Sequence, residues 1–324
     1  MGQIDSRLYN SIDRSTLIGR LLIVSLTILM ATGCGYQPHA QIKVPDMPPP
    51  VTKPIKDVRV ALVLSSGGFR GSAHIGVIEV LEENNIPIDL IVGCSAGSFV
   101  GAFYADNPNA KELKNKLMHA NYNTLIDTSI ICTLKAPFCP TGPIRGRALQ
   151  DFMLSKLRSR NFEELKIPLI VATTSIIDNK LEPLQTGPII PAVHASMALP
   201  PYFAPVNVYE NSLVDGGVLA PIPVALAKQY SPKLIIAVDI CKRPSRVEPT
   251  NAFQITGRVI DMSFYELAQR QASNADIVIR PDIIGFGPFD DEEVEEFYEA
   301  GRRAALQQIE QIKQAVLKFN AKAP

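Results

Sequence analysis

The sequence predicts an α/β domain in which a mostly parallel sheet carries helices on both faces. Short apolar runs recur at 58–64 (VRVALVL), 88–92 (IDLIV), 168–173 (PLIVAT), 234–239 (LIIAVD) and 275–280. Near-continuous runs of this kind suit strands buried on both faces. Helical stretches at 72–85, 96–105, 110–122 and 145–160 lie between them, and such alternation builds parallel sheets. The first two strands each run into a glycine turn that opens a helix, at Gly67–Gly71 and Gly93–Gly97.

Each element has a local reason. The stretch 96–105 (AGSFVGAFYA) is rich in small residues and reads as a tightly packed helix. From 290 to 319 one or two amphipathic helices are expected, acidic at the start (Asp291, Glu292, Glu293) and basic later (Arg302, Arg303, Lys313, Lys318), in accord with the helix dipole. That charge pattern is a solvated face. With 324 residues, 46% of them hydrophobic, the chain can bury a full core. The net charge is zero, tryptophan is absent and no basic block interleaves with aromatics, so nucleic acid is excluded as a partner. No internal repeat is visible.

Residues 1–33 read as a targeting segment. Arg7, Arg14 and Arg20 precede an uncharged apolar run, Leu21 to Ala31, which ends in Thr32-Gly33-Cys34. The run is short for a membrane span. It resembles a bacterial lipoprotein signal, which implies cleavage before a lipid-modified Cys34 and attachment to a membrane. Ala31 stands where leucine is usual, and an uncleaved amino-terminal anchor is the competing reading. By the same analogy Gly35 favours the outer membrane, facing the periplasm. Residues 34–56, rich in proline and without periodicity, read as a tether. The folded domain is then expected over 57–285, with carboxyl-terminal helices over 286–324. If the chain is exported, Cys132 and Cys139 could close a small disulfide loop, while Cys94 and Cys241 read as buried free thiols. The cysteines and histidines show no metal-ligand spacing, so no metal or cofactor is expected.

The chemistry centres on Gly93-Cys94-Ser95-Ala96-Gly97. A serine on a sharp strand-to-helix turn is pushed out of the sheet, and flanking glycines permit the tight backbone. The motif alone arises by chance in roughly one chain in ten of this length; the apolar strand before it and small-residue helix after it mark Ser95 as a nucleophile. Of the four histidines, His39 lies in the tether, His74 precedes the serine and His119 sits on a charged face. Only His194 follows Ser95 in a plausible core context, and none follows Asp215, which closes the order serine, acid, late histidine. A carboxylate remains. Asp215 ends an apolar lead and is followed by Gly216 and Gly217. A lone Asp-Gly-Gly is usually a turn, but beside a serine without a histidine it becomes the candidate base. A free Asp is a weak base, so partial burial that raises its pKa is required. Amides at Gly67, Gly68 and Phe69, with Arg70 nearby, could bind an oxyanion, each donor being worth about 2.7 to 4 kcal/mol. A dinucleotide phosphate suits that loop less well, because Ser66 stands where the nucleotide fingerprint needs glycine.

Taken in order, Gly67-Gly68-Phe69-Arg70-Gly71, Gly93-Cys94-Ser95-Ala96-Gly97 and Asp215-Gly216-Gly217 resemble the patatin-like phospholipase family in its bacterial branch. The resemblance extends over roughly residues 58 to 285 and includes AVHASMALPPYFAPV and LVDGGVLAPIPV. It implies a three-layer α/β/α sandwich and a lipid acyl hydrolase with a Ser95/Asp215 dyad and no metal. Gly67, Gly68, Phe69, Arg70 and Gly71 would form the oxyanion loop, and Gly93 and Gly97 the nucleophile elbow. Ser65, Ser66, His194 and Ala220 depart from residues common in the family. The altered Ser65-Ser66 loop keeps open a noncatalytic envelope protein that binds lipid or a partner; a thioesterase is a further alternative.

Overall fold

The computed structural model describes residues 54–119, 144–241, 247–283 and 293–320, together with the single positions 46, 48, 49, 125, 127, 243 and 244. The expected signal segment, Cys34, nearly all of the expected tether, Cys132 and Cys139 lie outside them.

One eight-stranded sheet forms the centre. Its parallel part comprises β1 (Val60–Leu64), β2 (Leu90–Cys94), β3 (Leu169–Ser175), β7 (Leu234–Val238) and β8 (Ile277–Ile279). β4 (Lys180–Leu184), β5 (Val206–Val208) and β6 (Asn211–Asp215) are antiparallel additions. The order is β5-β6-β3-β2-β1-β7-β8, with β4 also paired to β3. Every residue of β1, β2, β3 and β7 is buried, as their unbroken apolar runs predict.

Alternation along β1 sorts the two faces. Val60, Leu62 and Leu64 enter a core shared with α1 (Ser72–Glu83), α2 (Ala96–Asp106), α5 (Ile189–Met197) and α8 (Val294–Asn320). Ala61 and Val63 face the opposite core, closed by α6 (Val224–Lys228) and the carboxyl end of α7 (Ala252–Ala272). Helices therefore cover both faces, in the three layers that the resemblance implies. Two shorter helices, α3 (Ala110–Leu117) and α4 (Arg147–Lys156), complete the set among the described residues.

Among its described residues the carboxyl-terminal stretch forms a single helix, α8. It lies so close to α1 that a Cβ on Gly76 would run into the Tyr298 carbonyl, and one on Gly301 into that of Ala73. Arg302 pairs with Glu79 and Glu83 across this seam, and the Tyr298 hydroxyl donates to Glu79.

Two helices end sooner than the sequence reading expects. α3 stops at Leu117, and α4 is confined to 147–156 because Gly146 turns left-handed before it and Leu157 is extended after it. The long α7 and the antiparallel strands have no counterpart in that reading.

Candidate active site

Ser95 occupies the turn between β2 and α2 with φ 51° and ψ −119°. A side chain held there costs of order 1–3 kcal/mol, and surrounding contacts must over-determine it. They do so at both ends of the residue. The Ser95 amide donates to Ser196 Oγ at 2.9 Å, and that hydroxyl donates onward to the Ala172 carbonyl on β3 at 2.7 Å. The Ser95 carbonyl accepts from the Ser98 amide at 2.9 Å and the Ser98 hydroxyl at 2.7 Å. Gly97 lets α2 start directly over β1, where any Cβ would overlap the Leu64 carbonyl.

Asp215 ends β6, opposite Thr173 of β3. Its Oδ1 accepts from the Gly217 amide at 2.7 Å and from the Cys94 thiol at 3.7 Å. The Ser95 side chain lies near enough to the carboxylate to favour its charged form. Burial pushes its pKa up to about 6, against the lowering effect of the Gly217, Ser95 and Cys94 donors. The Asp215 amide donates to the Ala198 carbonyl at 3.0 Å. Ser196 and Ala198, at the end of α5, thus hold the backbone amides of both Ser95 and Asp215. The sequence reading assigns these residues no role beyond the family resemblance.

The first glycine loop lies beside the pair. Gly68 has φ 60°, a conformation that glycine adopts without strain, and opens a single tight turn, Gly68–Gly71. Amides at such a start lack intrahelical partners and can receive an anion. Arg70 is buried, and its Nε donates to the Gly67 carbonyl at 2.9 Å, so it braces the loop. Burial lowers its pKa, opposed by Cys241, Asp261 and Asp239 nearby. Ser65 takes a bracing role too: its hydroxyl accepts from the Ile240 amide at 2.9 Å, while the Ser66 amide donates to the Pro221 carbonyl at 2.9 Å.

Ser95, Asp215 and residues 66–71 share a cavity of about 650 Å³. Phe99, Val100, Met197 and Phe203 form part of its walls, and α7 contributes Ile260 and Phe264. This is an apolar chamber with a small polar end.

The two buried histidines, His74 and His194, stand apart from that chamber. His74 Nε2 lies 3.0 Å from the Ser65 carbonyl, and full burial lowers its pKa to about 4. His194 Nδ1 meets the Gln150 amide nitrogen at 2.7 Å. Neither lines the cavity. Cys94 and Cys241 are free thiols, the latter lining the chamber beside Ser66. Among the described residues no group of three or more His, Cys, Asp or Glu could hold a metal ion.

The model of one family, described as patatin-like phospholipase, matches residues 62–228, just over half of the chain. The chain belongs to the patatin-like phospholipase family. It is 32% identical over 183 residues to the human patatin-like phospholipase domain-containing protein 6, covering 56% of this chain and 13% of that one. An uncharacterized NTE family protein of Mycobacterium tuberculosis is 35% identical over 182 residues, covering 56% of this chain and 49% of its own length. The chain thus spans less than half of these relatives. Among solved structures, VipD from Legionella pneumophila superposes with TM-score 0.50 at 14% identity, over 80% of this chain and 67% of that one. At that identity the likeness speaks for the patatin-like fold alone.

Proposed function

We propose that this chain is a serine acyl hydrolase of lipid esters that works through a Ser95/Asp215 dyad. The observation that carries this reading is that Ser95, on its left-handed turn, shares one cavity with a buried carboxylate whose pKa is raised to about 6. Burial turns a weak base into a competent one, with no imidazole between. In the first half-reaction Ser95 Oγ bonds to the ester carbonyl carbon and its proton passes to Asp215. The oxyanion is received at the Gly67 and Gly68 amides. Collapse breaks the bond to the leaving oxygen, which takes the proton from Asp215 and departs as an alcohol. Water then attacks the acyl-enzyme, gives its proton to Asp215, and releases the fatty acid and the restored Ser95 hydroxyl.

The apolar chamber suits an acyl chain with its ester at the polar end. The names of the patatin-like relatives point the same way. Attachment to the outer membrane through a lipidated Cys34, facing the periplasm, belongs to this proposal and rests on the sequence of residues 1–35.

The test is labelling by a fluorophosphonate probe together with turnover of a short-chain p-nitrophenyl ester. Wild type is expected to label and to turn over. Ser95→Ala should lose both, and Asp215→Asn should lose at least about a thousandfold in labelling rate. Equal labelling of wild type and Ser95→Ala would end the assignment. An ester-to-thioester comparison separates the thioesterase alternative.

A further inference from the structure

Two serines precede the glycine loop, and their hydroxyls are used differently. Ser65 is committed on both sides: its Oγ donates to the Ser66 carbonyl at 3.1 Å and accepts from the Ile240 amide at 2.9 Å. Ser66 lines the cavity, and among the described residues its hydroxyl meets only the Cys241 thiol, 3.7 Å away, where either atom can be the donor. A thiol is a weak partner in both senses, so the Ser66 hydroxyl keeps the capacity to donate and to accept. Its position is read from Gly217. A Cβ there would lie 3.0 Å from Asp215 Oδ1, 3.4 Å from Ser66 Oγ and 2.9 Å from the Phe264 ring. Ser66 and Asp215 therefore border one corner, which a glycine leaves open and which Phe264 of α7 closes.

With Asp215 as base, two oxygens must come beside its carboxylate in turn. The leaving oxygen takes a proton from it in the first half-reaction, and water gives one to it in the second. Both occupy the same place, since each half-reaction is the other run backwards with alcohol and water exchanged. A hydroxyl at that place can play either part. It donates to a leaving oxygen as negative charge builds, and it accepts the second proton of an attacking water. The thiol of Cys241 answers both, giving to Ser66 Oγ in the first case and taking in the second. We infer that Ser66 Oγ lines the subsite shared by the leaving oxygen and the hydrolytic water. In deacylation the water oxygen bonds to the acyl carbon while one of its protons passes to Asp215 and the other is held by Ser66 Oγ. The bond from the acyl carbon to Ser95 Oγ then breaks, and the proton on Asp215 restores the Ser95 hydroxyl. Ser66 keeps its own proton throughout. The inference rests on the Ser95/Asp215 reading and adds to it a residue that departs from the one common in the family.

The test compares p-nitrophenyl and ethyl esters of one short acid on full-length Ser66→Ala. Nitrophenolate, like the fluoride of a fluorophosphonate, departs without taking a proton. Probe labelling, and kcat/KM for the p-nitrophenyl ester, which reports acylation, should therefore keep their wild-type values. The trapped acyl-enzyme, followed by mass spectrometry, should decay roughly tenfold more slowly, and kcat/KM for the ethyl ester should fall by a similar factor. Ser66→Gly, which carries the residue common in the family, should show the same split and supplies the test if the alanine variant does not fold. Equal losses in every measurement, labelling included, would overturn the inference and leave Ser66 as a brace of the loop. Acyl-enzyme decay at the wild-type rate would overturn it as well. A wild type that neither labels nor turns over would end the dyad reading and this inference together, whereas an active wild type with no split in the variants would end this inference alone.

Discussion

The two walls of the cavity are built on opposite principles. On one side the β1 and β2 turns, the end of α5 and Asp215 are buried, close-packed and tied by short hydrogen bonds through Ser196, Ala198 and Gly217. On the other side α7 offers Ile260 and Phe264 to the cavity while half-exposing Ile255, Val259 and Met262 to solvent. The first wall holds Ser95 and Asp215 in fixed positions; the second contributes surface. Substitutions should therefore be felt sharply in the first and lightly in the second.

The largest effect should come from a single methyl group at Gly97. Gly97→Ala drives a Cβ into the Leu64 carbonyl, which is backbone and cannot rotate away. A loss of more than about 3 kcal/mol is expected, read as a drop in denaturant midpoint or as insoluble expression.

Next is Asp215. Its folded pKa of about 6 lies above the ordinary 3.8, so the folded state holds that proton more tightly than the unfolded one. The stability from this is fully present below 3.8 and lost as pH rises through about 6, a span worth up to about 3 kcal/mol. At neutral pH the ionised carboxylate is a cost to stability, one that its proposed role as base would explain. Asp215→Asn should thus stabilise the protein above pH 6 by up to about 3 kcal/mol, and the gain should roughly halve by about pH 5. Paired denaturant melts at the two pH values check this. Wild-type kcat/KM should rise with pH through about 6 as the base ionises.

Ser196→Ala comes third. It removes the hydroxyl that joins the Ser95 amide to the Ala172 carbonyl. Two buried backbone groups lose their partner, a cost of about 1–3 kcal/mol. A displaced nucleophile should also label roughly tenfold to a hundredfold more slowly. A variant that loses stability yet labels at the wild-type rate would show that the first wall is less exacting than its bonds imply.

The smallest effect should come from Gly257 on α7, where an added Cβ meets nothing within 4 Å. Gly257→Ala should gain roughly 0.5–1 kcal/mol by helix propensity alone, read as a small rise in denaturant midpoint. Destabilisation there would break the contrast between the walls.

The same contrast governs what the sequence reveals. Ser95 and the glycines around it are legible because a strand, a tight turn and a small-residue helix follow one another along the chain. Asp215 is legible only by elimination of histidines and by the family resemblance, since its place near Ser95 depends on pairing between β6 and β3. Ser196 and Ala198 bond across long sequence separations, which leaves no local period to read. α7 misleads in a different way: Ile255, Val259 and Met262 have the spacing of a buried stripe and yet face outward, so an inward-facing assignment from pattern would invert the helix.

The arrangement of β6 has a consequence for how the pair is assembled. Cys94 and Asp215 are 121 positions apart, and the acid reaches the serine only through the register that sets Asp215 opposite Thr173. Side chains on a strand alternate between faces, so a slip of one position would turn the carboxylate to the far side of the sheet while leaving the chain compact. Under the proposed dyad, a nascent chain that ends before β6 would therefore hold a serine without its base.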